Sequence, residues 1–145
     1  MMRSLLGVAG ALTLAGCLGQ PAKTPDVATV SWGNIGSTHG GYQVSIDSND
    51  IISSRIVAGN GDITETEHRA SDGTFGIIDQ RATFALDTLN VSPSSLTCLD
   101  AGTTYIARSN GNQRTRRVET QCSEPEFDTA IMGLNALITQ HLSLV

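Results

Sequence analysis

Basic residues are scarce in this chain: nine lysines and arginines stand against fourteen aspartates and glutamates, a formal net charge of −5. A surface of that sign repels phosphate backbones, which argues against broad nucleic-acid binding. Aromatic residues are only 4% of the sequence, which argues against a carbohydrate groove built on stacking rings. The three histidines are dispersed at positions 39, 68 and 141. They do not combine with cysteines into the four-ligand spacing of structural zinc, and no metal or cofactor is expected. Long apolar runs are missing as well. The longest, from Leu5 to Leu14, is about half the roughly 20 residues that a membrane-crossing helix needs.

That short run nevertheless has company. Arg3 precedes it and small residues follow, the three-part layout of a secretory leader. The stretch Leu14-Ala15-Gly16-Cys17 resembles the lipobox of bacterial lipoproteins: an aliphatic residue, two small residues, then cysteine. The resemblance implies that residues 1–16 are removed and that Cys17 carries a thioether-linked lipid. It also implies a location in the cell envelope, with the membrane as a partner through the N-terminal lipid. Leu18 in place of aspartate after the cysteine points to the outer membrane, facing the periplasm. The competing reading is an ordinary leader cleaved after Ala15. Removal of the first 16 of 145 residues leaves 129 and, with Arg3 gone, moves the net charge to −6. Residues 17–26, with prolines at 21 and 25, read as a tether, and residues 27–145 as a single domain.

Once Cys17 is assigned to the anchor, only Cys98 and Cys122 remain. In an oxidising envelope compartment they are expected to form a disulfide. They flank a hairpin with its turn at Ser109-Asn110-Gly111-Asn112. A loop centred on Asn110 would place the two cysteines opposite each other at its open end.

Residues 42–47 alternate, with Tyr42, Val44 and Ile46 on one face and Gln43, Ser45 and Asp47 on the other, the period of a half-buried strand. Ser48-Asn49-Asp50 is turn chemistry, and residues 51–58 return with Ile46 facing Ile52 and Tyr42 facing Ile56. Residues 63–70 read as a polar edge strand, and 27–32 offer a further strand. Residues 74–89 change period: Phe75, Ile78, Ala82, Ala85, Leu86 and Leu89 share a helical stripe, with Ser71, Asp72 and Thr74 as cap candidates. Strands at 103–109 and 113–120 follow. A last helix carries Phe127, Ile131, Leu134, Ile138 and Leu142 on one stripe, opened by a capping box at Ser123 and Glu126. The expected fold is α+β: an antiparallel sheet of four to six strands covered on one face by two amphipathic helices, in the order β-β-(β)-α-β-β-α.

Three groups of residues invite chemistry. Ser37 and His39, in a glycine-rich stretch read as a flexible connection, suggest a nucleophile and base with Asp26 or Asp47 as orienter. The Gly-x-Ser-x-Gly elbow that exposes such a serine is missing. Glu65 and Glu67 share a strand face, but His68 falls on the other. Arg108, Arg114, Arg116 and Arg117 are half the basic residues that remain after Arg3 is lost. They suggest a hairpin tip that projects and binds an envelope protein or an anionic component. No catalytic constellation emerges. The function expected is therefore a small lipid-anchored envelope protein with a non-catalytic binding or structural accessory role. The alternatives are an envelope hydrolase using Ser37 and His39, or a membrane-presented inhibitor of a secreted enzyme.

Overall fold

Alternating side chains and four hairpins, three of them turned at glycines, build a six-stranded antiparallel sheet. The computed structural model describes residues 27–89, 98, 101–111 and 113–142. The leader, Cys17 and the tether lie outside them. The elements run β1 (Ala28–Ile35), β2 (Gly40–Asp47), β3 (Ile51–Ala58), β4 (Ile63–Arg69), α1 (Thr74–Thr88), β5 (Thr103–Asn110), β6 (Gln113–Thr120) and α2 (Pro125–Leu142). The sheet order is β4-β3-β2-β1-β5-β6, so α1 carries the chain from the β4 edge across to the far side of β1, where β5 and β6 add. The α+β expectation holds, and both helices lie on one face.

Register follows the alternation. Ile46 pairs with Ile52 and Tyr42 with Ile56, which keeps one face of the β2–β3 hairpin apolar. Val30 and Trp32 of β1, Ile46, Ile52 and Ile106 meet Ile78 and Ala82 of α1 and Phe127, Ile131 and Leu134 of α2 in one core. Trp32 is fully buried, and its Nε1 donates to Asn135 Oδ1 at 2.8 Å. A buried indole needs that acceptor. Every residue of β4 is exposed, as expected of a charged edge strand.

Three local expectations change. The β5–β6 hairpin turns after Asn110, which pairs with Gln113, and a bulge lies at Ser109/Asn110. Ile106 therefore faces Val118. Cys98 precedes β5 and Cys122 follows β6, so they are not cross-strand partners. The disulfide between them nevertheless forms, with Cα atoms 5.3 Å apart. Second, the capping box does not close. The Ser123 hydroxyl donates to Asp128 Oδ2 at 2.6 Å, and the helix begins at Pro125, whose fixed φ and missing N–H suit a first helical position.

The third change concerns the glycine-rich stretch, which is not a loose connection. Gly33 lies inside β1, between Gln43 of β2 and Tyr105 of β5. A Cβ built on it would lie 2.1 Å from the Tyr42 carbonyl oxygen. A Cβ on Gly41 would lie 2.5 Å from the Asn34 carbonyl oxygen. These glycines let two strands pass at a distance that side chains would forbid.

Candidate functional site

The turn joining β1 to β2 holds Ser37 and His39. Ser37 Oγ accepts a hydrogen bond from the His39 backbone N–H at 3.2 Å, and the Ser37 carbonyl accepts from Gly40 N–H at 3.2 Å. The Ser37 hydroxyl and carbonyl are thus tied to the backbone of the turn. Asp47, a proposed orienter, ends β2 at the far side of the sheet, about 20 Å away along an eight-residue strand. Its carboxylate accepts from Asn49 and Ile51 N–H. Asp26 lies outside the described residues. The structure does not bring Ser37, His39 and Asp47 together.

Glu65 and Glu67 lie on the uncovered sheet face, while His68 pairs across from Ile52 on the opposite face. The uncovered face is polar, with Gln43, Ser45, Ser53 and an Arg55–Glu65 ion pair of 3.2 Å. Among the described residues no three histidine, cysteine, aspartate or glutamate side chains gather as a metal site. No helix there is long and apolar enough to cross a membrane.

The arginines of the second hairpin have partners within the fold. Arg108 and Arg116 pair across the strands and face the helices. Arg108 forms a two-pronged bond to Asp79 of α1, its Nη2 reaching Oδ2 at 3.1 Å, and also donates to Asn110. The Asp79 hydrogen bond raises the Arg108 pKa above its ordinary value despite partial burial. Arg116 meets Asp87 at 2.7 Å. Arg117, on the other face, pairs with Glu119 at 2.6 Å and lies 4.1 Å from the centre of the Tyr105 ring. Arg114 sits on β6, and its side chain is outside the described set. Three of the four arginines thus meet acidic side chains of the fold. Guanidinium groups turned toward a packed layer need acceptors there, and α1 supplies two of them.

Tyr105 belongs to the nominally open face yet is only 3% exposed. Its cross-strand neighbour is Gly33, whose lack of a side chain leaves room for a ring. Burial pushes its phenol pKa above the ordinary 10, against opposing effects from a Ser31 hydrogen bond and the Arg117 charge. A raised pKa favours the neutral phenol in the folded state. Its contribution to stability is complete below pH 10 and is lost as pH rises through the folded value. Alkaline titration of phenolate absorbance should show a component above pH 10 that disappears in Tyr105→Phe. Its persistence in that variant would refute the assignment.

A different surface went unrecognised in the sequence. Ile77, Arg81 and Phe84 on α1 and Gly133 and Leu137 on α2 line a groove of about 560 Å³ between the helices, on the side away from the sheet. A neighbouring depression adds Glu126 and Ala130. Phe84 is 60% exposed and Ile77 44%. The Arg81 guanidinium lies 5.9 Å from the centre of the Phe84 ring. It also passes Gly133, where a Cβ would meet Nη2 at 3.4 Å. The signal was present as a second stripe at helical spacing, 77-81-84, beside the core stripe. It was masked by the arginine at its centre.

Comparison with protein-family models and with curated proteins finds no match to this chain.

Proposed function

We propose that this chain is a lipid-anchored bacterial envelope protein with a non-catalytic binding or accessory role. The anchoring half of the reading rests on the lipobox-like Leu14-Ala15-Gly16-Cys17. The binding half rests on one structural observation: an exposed aromatic and an exposed isoleucine flank an arginine on the outward face of the helix pair. Large apolar side chains grouped on a surface usually mark a contact site. Ser37, the nucleophile of the hydrolase alternative, is tied into a turn remote from Asp47, which favours binding over that chemistry.

Replacement of Cys17 by serine tests the anchor. Wild-type protein should incorporate labelled palmitate and sediment with membranes, and the Cys17→Ser variant should do neither. An unlabelled wild type, or a variant that still labels, would refute the anchor.

A further inference from the structure

We infer that the outward face of α1 and α2 is a self-association surface whose occupant is a second copy of this chain. The inference rests on the reading of that face as a binding surface, and charge complementarity identifies the occupant. The face carries Arg81 and Glu126, which line the same depression together with Phe84. Neither has an ion-pair partner among the described residues. Other acids of the helix pair are already engaged: Asp79 by Arg108, Asp87 by Arg116, and Asp128 by Ser123. One uncommitted cation and one uncommitted carboxylate therefore remain among apolar groups. A two-fold axis brings each against its opposite on the other copy, because in such an interface residue i meets j and j meets i.

Shape agrees with charge. Phe84 stands out as a knob, and the groove beside it, lined by Ile77, Gly133 and Leu137, is a matching hole. With the axis passing midway between Arg81 and Glu126, Phe84 of each copy enters the groove of its mate. The chain is acidic overall, yet copies can approach here because Arg81 and Glu126 offset each other on this face.

The two helices, 15 and 18 residues long, are about 22 and 27 Å in length at 1.5 Å per residue. Packed side by side they offer on the order of 500 Å² per copy, so the pair buries about 1,000 Å², near the lower limit for a specific interface. Such a dimer is weak in dilute solution. Confinement of both copies to one membrane by their lipids would raise their effective concentration.

The test is cysteine cross-linking of the full chain in its own membranes. Gln80, exposed on α1 beside Arg81, lies near the proposed axis, so Gln80→Cys should form an oxidative homodimer. Glu67→Cys, on the uncovered sheet face, sets the collisional background. The parent chain controls for the native cysteines. Arg81→Glu in the Gln80→Cys background should lower the dimer yield at least about five-fold by setting two carboxylates against each other. The further change Glu126→Arg should restore it. Trp32 fluorescence would verify that each variant is folded. A Gln80→Cys yield no higher than that of Glu67→Cys would overturn the inference, as would failure of the charge swap to restore it. Cross-linking of Gln80→Cys to a different protein would also overturn it, while leaving the face a binding surface. The palmitate experiment above fails or succeeds independently of these outcomes.

Discussion

Replacement of Gly33 by alanine is expected to destabilise the fold by about 3 to 5 kcal/mol, the combined scale of backbone strain and overpacking. Gly33 has φ +156°. In that conformation a Cβ points sideways into β2, where the Tyr42 carbonyl oxygen would be 2.1 Å away and the Gln43 Cα 2.9 Å away. Both obstacles are backbone, so no rotamer change relieves them. β1 is a central strand, paired with β2 on one side and β5 on the other, and a shift of β1 disturbs both ladders. Domains of this size are commonly stable by only about 5–15 kcal/mol, so the variant should be close to unfolding. Urea denaturation followed by the fluorescence of Trp32, the only tryptophan, measures the effect. A loss below about 1 kcal/mol, the ordinary scale of a surface change, would show that β2 can move aside.

Removal of the Asp50 side chain should be the next most damaging change. Asp50 ends the β2–β3 turn in the left-handed region, φ 61°, which aspartate tolerates better than most residues. Its carboxylate accepts from Gly73 N–H at 2.8 Å and from Phe75 N–H at 2.6 Å. The backbone around Gly73 is itself left-handed and supplies no side-chain cap. The Asp50 carbonyl accepts from Ala70 N–H at 2.8 Å. One nearly buried residue thus closes a hairpin, caps α1 across the chain and places a negative charge at the positive end of the helix. Asp50→Ala should cost about 3 kcal/mol: 1–2 for the cap and roughly 1 or more for alanine at positive φ. Asp50→Gly should be milder because only the cap is lost. Asp50→Asn should be mildest, since it tolerates the turn and keeps one acceptor oxygen. A series in which glycine is as damaging as alanine would remove the backbone component from this account.

The cap candidates at Ser71, Asp72 and Thr74 illustrate what local reading can and cannot see. Those residues have the right chemistry next to the helix, and the Thr74 hydroxyl donates to the Ser71 carbonyl at 2.7 Å. The cap itself comes from a residue 23 to 25 positions earlier. No pattern within a helical window encodes that distance. The arginines are a related case. Strand alternation puts Arg108 and Arg116 on the face of Ile106 and Val118. Which acids would meet them depended on how α1 lies across the sheet.

Periodicity alone determined the strands, the two helices, the apolar face of the sheet and the β2–β3 register, because side-chain direction repeats every two residues in a strand and every 3.6 in a helix. The cysteine count pointed to the Cys98–Cys122 bridge. Tertiary structure alone decided the sheet order, the placement of Asp50 beneath α1, the pairing of Asp79 and Asp87 with arginines, and the close passage of β1 and β2 at Gly33. It also decided that Ile77, Arg81 and Phe84 form one wall of a groove whose other wall is Gly133 and Leu137. Each of these depends on contacts between segments far apart in the chain, which are set by packing of whole faces and are not encoded in either segment alone.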